Sequence, residues 1–170
     1  MLKVGGAVLL VLSGLIAGQV LRLSYVLRTR QLGQVKKALI ALSTEIACTR
    51  ASLPVAFRRV AAITDEPTSL LLAECARQMD GLTVAAGEAW RRACLSCFDK
   101  FCFGPTEREV LLEISSALGL ATLEEQLKRL EYARQRVEFF EQAAFREEEH
   151  AKLWSYGGFA AGAVTCLLLL

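Results

Sequence analysis

The stretch Thr122–Leu170, TLEEQLKRLEYARQRVEFFEQAAFREEEHAKLWSYGGFAAGAVTCLLLL, sets the architecture of this chain. It contains no proline, and no glycine precedes Gly157-Gly158. Leu123, Leu130, Val137, Ala144 and Ala151 recur every seven residues. Leu127, Ala133, Phe140 and Phe145 widen that stripe, while Glu, Arg and Lys fill the other faces. This is the period of an amphipathic helix. From Leu153 onward no charged residue occurs. At the α-helical rise the whole stretch would reach about 70 Å. The reading predicts a rod that leaves a soluble domain and enters a bilayer, with the rest of the chain as its partner.

Working outward, 54% of the 170 residues are apolar and the mean hydropathy is +0.36. The excess lies at the two ends. A net charge of +2 gives no reason to expect a nucleic-acid partner. Residues 22–152 suffice for one small helical domain. Six cysteines are spread along a chain with few loops, unlike a small disulfide-stapled secreted fold. Reduced thiols in a cytosol-facing domain are expected.

Val4–Leu21 carries only Ser13 and Gln19 as polar side chains. As a helix it reaches about 27 Å, close to the ~30 Å hydrocarbon core. A cleaved signal peptide would show a small-x-small site and a polar mature start. Here Arg22 and a helical pattern follow directly, so residues 1–21 read as an uncleaved transmembrane helix. Residues 153–170 read as a second. Trp154 and Tyr156 sit at its charged boundary, where aromatic rings prefer the headgroup level. The alternative is a terminal helix buried in a soluble core; the closing leucines favour lipid.

Arg22, Arg28, Arg30, Lys36 and Lys37 follow the first span, and Arg146, His150 and Lys152 precede the second. Only Lys3 lies beyond the first. The positive-inside rule then places the middle of the chain in the cytoplasm. Each span holds a Gly-x-x-x-Gly: Gly14 with Gly18, and Gly158 with Gly162. That spacing lets helix backbones approach, so the legs are expected to pair with each other or with a partner. Glycine is also simply frequent in membrane helices.

Inside the domain, Leu32, Val35, Leu39, Leu42 and Ile46 give Gln31–Arg50 a helical stripe. Ser52-Leu53-Pro54 interrupts it and opens a short helix through Ile63. Asp65-Glu66-Pro67 is a turn, after which Thr68 or Ser69 is expected to cap a helix ending near Gly81. Leu82–Phe98 is helical around Trp90. Gly104-Pro105 breaks the chain; Thr106 with Glu109, and Thr122 with Glu125, have capping-box spacing. Gly119 stops the helix between them. No segment alternates at period two for long, so the fold class is all-α, an antiparallel helical bundle between two membrane helices.

Little here carries chemistry. Cys94, Cys97 and Cys102 have the beginning of a metal or redox spacing, but no second Cys-x-x-Cys follows, and His150 is the single histidine. Free thiols in a helical segment are the plainer reading. Glu147-Glu148-Glu149 reads as a solvated helix face. There is no nucleophile elbow and no nucleotide-binding glycine motif. The expectation is a protein that is not an enzyme and holds no cofactor or metal. The pairs Arg58-Arg59 and Arg91-Arg92 are helix-surface charge, or a docking patch for an acidic partner.

The full length resembles the stage III sporulation protein AB family. The resemblance rests on an ordered set: Met1-Leu2-Lys3 before a short apolar span, Thr44-Glu45-Ile46, and Leu53-Pro54-Val55-Ala56-Phe57. Ala89-Trp90, Leu118-Gly119, then Glu125, Gln126 and Lys128, and finally Tyr156-Gly157-Gly158 before a leucine-rich span complete it. Thr122 stands where the family pattern has an acidic residue, a change that preserves a helix cap. The resemblance implies a non-enzymatic scaffold of the channel complex between mother cell and forespore, on the mother-cell side of the forespore membrane. Such proteins are similar to the platform proteins of type II secretion and type IV pilus machines. That similarity implies other channel proteins and a cytoplasmic motor ATPase as partners, with self-association open. The alternative is a metal- or redox-sensing membrane protein using Cys94, Cys97 and Cys102.

Overall fold

The computed structural model describes the backbone of residues 2–49, 52–80, 84–119 and 122–169, and the side chains of Gln19 and of residues 23–49, 52–80, 84–119 and 122–149. Two long helices dominate: α1 (Leu2–Thr49) and α6 (Leu123–Leu169). Between them in sequence come α2 (Leu53–Ala62), α3 (Thr68–Met79), α4 (Ala86–Cys97) and α5 (Pro105–Glu113), with 3-10 turns at Phe98–Lys100 and Ile114–Ala117. No strand occurs among the described residues, and the all-α expectation holds.

The most extensive packing in the domain is α1 against α6. Leu32, Val35, Leu39, Leu42 and Ile46 of α1 are all buried, as are Leu130, Val137 and Ala144 of α6. Each set repeats at alternating threes and fours or at sevens, which keeps one seam facing one partner. The stripe is narrower than its sequence suggests. Leu123 and Phe145 are exposed: Leu123 keeps the seam's heptad position but is the first residue of α6, and Phe145 lies one position round the wheel from the buried Ala144.

The helices run antiparallel. Arg28 of α1 bonds Glu147 of α6 at 2.6 Å, while Lys36 pairs with Glu141 and lies 3.8 Å from Glu138. Helices α2 and α3 pack on α1, and each short helix from α2 to α4 packs on the next. Helix α5 and the turn after it close against α6. Phe57 of α2 and Trp90 of α4, centroids 5.8 Å apart, fill the space between. The bundle is therefore one long antiparallel pair with four short helices laid across it.

Helix ends follow local chemistry, though not always by the expected residue. Ser52 is the N-cap of α2, with Pro54 in the first turn. At α5 the cap is Gly104, with Pro105 at the first helical position, so the Thr106–Glu109 box is not used. Proline takes that position because its ring already has helical φ and it lacks an amide needing a partner. Thr68 caps nothing: it begins α3 as a buried residue after Pro67, its Oγ1 without a partner. Thr122 does cap α6, accepting the Glu125 amide at 3.3 Å. Gly119, with φ +78, supplies the left-handed residue before that helix.

Candidate functional site

The four arginines singled out from sequence are all exposed on short helices. Arg58 of α2 pairs with Asp80 after α3, and Arg59 pairs with Glu45 of α1. Arg92 reaches Glu88, one turn back on α4, at 2.9 Å. Arg91 makes no ion pair among the described residues. Two of these arginines therefore tie helices together, and one steadies its own helix. Solvent-exposed pairs of this kind are worth only about 0.2–1 kcal/mol each, so a partner's carboxylates can compete for them. Exposed apolar side chains sit nearby in sequence: Ile63 just beyond Arg58-Arg59 and Leu95 one turn past Arg91-Arg92. Charge with adjacent apolar surface is the composition of a protein-binding face.

A polar knot that the sequence did not reveal sits where α1, α5 and α6 meet. Glu107, in the first turn of α5, is 2% exposed. Arg28 donates to it through Nε at 2.8 Å and through a second nitrogen, while its remaining nitrogen binds Glu147. Burial works against the Arg28 charge, but the hydrogen bonds and negative charges of Glu107 and Glu147 together outweigh it and raise its pKa above the ordinary value. One turn along, Gln31 accepts the Cys102 amide at 2.8 Å and donates to the Lys100 carbonyl at 3.4 Å. The 98–105 segment is thereby fastened to α1. Arg28 had registered only as one of several basic residues near a span. Glu107 was not singled out at all: an acid in the first turn after Gly104-Pro105 is favoured by the helix N-terminus whether it is buried or not.

The cysteines divide by burial. Cys75, Cys94 and Cys97 are buried at the α3–α4 contact, whereas Cys48 and Cys102 are exposed. Burial, with a smaller push from Glu74, raises the Cys75 thiol to about 12. Burial, with smaller pushes from Cys75 and Cys97, raises Cys94 as well. Cys75 and Cys94 are therefore held in the protonated form, which is the poorer nucleophile. Among the described residues no group of three or more His, Cys, Asp and Glu is placed to hold a metal. The solvated face expected at Glu147-Glu148-Glu149 needs correction too: Glu148 is buried, on the heptad of Arg134 and Glu141 that borders the α1 seam.

Gly14, Gly18, Gly158 and Gly162 lie outside the described side chains, as do His150 and the apolar stretches expected as spans, apart from Gln19. Among the described residues no helix is long and apolar enough to cross a membrane.

Comparison with known proteins places this architecture. The chain is 29% identical over 171 residues to stage III sporulation protein AB of Bacillus subtilis (strain 168), covering 100% of both chains. A solved structure of stage III sporulation protein AB (SpoIIIAB) superposes with a TM-score of 0.69 at 27% identity, covering 73% of this chain and 98% of that one. The family model for stage III sporulation protein AB matches residues 3–170, and the chain belongs to that family.

Proposed function

We propose that this protein is a membrane-anchored, non-enzymatic platform in the channel complex between mother cell and forespore. Family membership supports a role in sporulation. The observation that carries the finer reading is the antiparallel pairing of α1 with α6. Because of it, the N-terminal part of α1 and the C-terminal part of α6 leave the domain at the same end. The apolar stretches 4–21 and 153–170 belong to those parts, so a single bilayer can receive both.

In this reading the helical domain faces the mother-cell cytoplasm. The faces bearing Arg58, Arg59, Arg91 and Arg92 meet a motor ATPase or another channel protein through carboxylates. Binding such a partner requires only that it replace weak surface pairs.

The test uses full-length protein in sporulating cells, with one engineered cysteine beside Lys3 or one in the Asp65-Glu66 turn. A membrane-impermeant thiol reagent is expected to label the first in intact cells and the second only after permeabilisation. Affinity capture from the same membranes is expected to recover an ATPase, and Arg91→Glu with Arg58→Glu to reduce that recovery. Labelling of the turn in intact cells would overturn the cytoplasmic placement. A capture that brings down channel proteins but no ATPase would remove the motor partner.

A further inference from the structure

The side of α6 turned away from its buried seam carries two exposed aromatic rings. Tyr132 is 63% exposed and Phe139 is 62% exposed. Their heptad spacing puts them on one face, about 10 Å apart along the axis. Phe139 is held in place: its ring meets Phe140 edge-to-face at 5.6 Å, and Phe140 packs against the core. Gln135 and Gln142 lie on the same exposed line, which Lys128 opens and Arg146 closes. Braced aromatic rings with arginine on the same face are what protein interfaces use as anchors.

The charges around this line are unevenly satisfied. On one flank Glu131 and Glu138 both pair with Arg134, at 2.6 and 2.9 Å. On the other flank Arg136 pairs with Glu113 of α5. Lys128 and Arg146 make no ion pair among the described residues. No carboxylate lies on the line between them. The stripe therefore presents apolar area at its centre and uncompensated positive charge at both ends, about 27 Å apart. A second copy of the chain does not complement it. In a parallel pair Lys128 would face Lys128 and Arg146 would face Arg146, which repel. An antiparallel pair would bring Arg146 level with Glu125 but point the two copies in opposite directions. Under the membrane-anchored function proposed above, one bilayer cannot receive both.

We infer that this outward stripe of α6 is a docking surface for an amphipathic helix of another protein, apolar at its centre and acidic at both ends. The helix would lie along α6 for about five turns. Its apolar side chains cover Tyr132 and Phe139, and its carboxylates reach Lys128 and Arg146, giving the free cations the counter-charge that this chain does not supply. The surface is separate from the arginine faces of α2 and α4. Only the exclusion of an antiparallel second copy rests on the membrane-anchored reading.

Photo-cross-linking of the full-length protein in sporulating cells tests this. Tyr132 or Phe139 is replaced by benzoylphenylalanine, with the exposed Ala73 of α3 as the control position. Both stripe positions are expected to link one segment of another chain, and mass spectrometry of the linked peptide is expected to show an acidic amphipathic sequence. Lys128→Glu with Arg146→Glu is expected to cut the yield about fivefold or more, whereas Lys128→Arg with Arg146→Lys retains it. Links to a second copy of this chain, or to a neutral or basic segment, would overturn the inference. So would a yield no higher than at Ala73. Arg58→Glu with Arg91→Glu is expected to leave the α6 links intact; their loss would merge the stripe with the arginine faces and remove it as a separate site. Thiol labelling of the Asp65-Glu66 turn reads the membrane placement on its own, so failure of that reading and failure of this one are distinguishable. Protection of Cys75 and Cys94 from alkylation reports that each variant is folded.

Discussion

The Trp90 indole N–H donates to the Leu111 carbonyl at 2.7 Å, deep in the domain. Trp90 is 2% exposed and Leu111 lies in the last turn of α5. One side chain thus fills the space against Phe57 and satisfies a carbonyl near a helix end, where backbone partners run out. Trp90→Ala is expected to cost about 3–5 kcal/mol through the cavity it leaves. Trp90→Phe keeps much of the packing but strands the carbonyl, at about 1–3 kcal/mol. Urea unfolding of the full chain in detergent, followed by circular dichroism, checks both. Equal losses for the two variants would show that the bond contributes nothing beyond volume.

Arg28 and Glu107 give a second prediction, because one of the two is fully enclosed. Removing the arginine leaves a buried carboxylate without its counter-charge, which costs about 3–5 kcal/mol. Arg28 is partly exposed, so Arg28→Ala is expected near the lower figure. Arg28→Met with Glu107→Leu removes both charges and fills their volume, and most of the loss is expected to return. If the double variant is no more stable than Arg28→Ala, the knot matters through Glu147 or Gln31 instead.

The cysteines predict a labelling pattern. Alkylation of the native protein near pH 8 is expected to modify Cys48 and Cys102 and to spare Cys75 and Cys94, with all four modified in denaturant. Mass spectrometry of the peptides reads this directly. The sign of the pH effect follows from the raised thiol pKa values. Both thiols stay protonated in the folded state after they ionise in the unfolded chain. Their contribution to stability is therefore complete below the ordinary thiol pKa of about 8.5. It declines as pH rises from there toward the folded value of about 12 for Cys75. Stability that did not fall across that alkaline range would show that neither thiol is shielded as its burial indicates.

The long helices were legible because their periodicity is long. All five α1 residues read as its stripe are buried, and three of the α6 heptad positions are buried as well. Over many turns a wrong face would accumulate errors that a short helix can hide. Caps were less legible. Thr106 and Thr68 have the right chemistry but lose to a neighbouring proline, whose fixed φ settles the first turn before a side chain can. Helix α4 begins at Ala86, later than Leu82, because its stripe starts with Ala89 and Trp90. Of the interaction surface, the exposure of Arg58, Arg59, Arg91 and Arg92 was readable from their wheels. Their present ion partners were not, since Asp80 and Glu45 come from other helices. The Arg28–Glu107 tie was hidden for the same reason: it joins residues 79 positions apart, and nothing local marks Glu107 as buried.

Two glycines inside helices carry opposite expectations. At Gly33 an added methyl meets only the end of the Glu141 side chain, which can swing aside and still reach Lys36. Alanine gains up to about 1 kcal/mol of helix propensity there, so Gly33→Ala is expected to be neutral or slightly stabilising. At Gly87, in the first turn of α4, the methyl would run into the carbonyl oxygen of Ser115, a backbone atom held in the 3-10 turn before Gly119. Neither side can yield without moving α4 away from that turn. Gly87→Ala is expected to lose about 1–3 kcal/mol despite the same propensity gain. Paired thermal melts of the two variants separate them. A Gly87→Ala protein as stable as Gly33→Ala would mean that the α4 contact with the turn is looser than the structure has it. A Gly33→Ala protein destabilised as much as Gly87→Ala would mean that Glu141 is pinned, and that the α1–α6 spacing at Gly33 depends on having no side chain there.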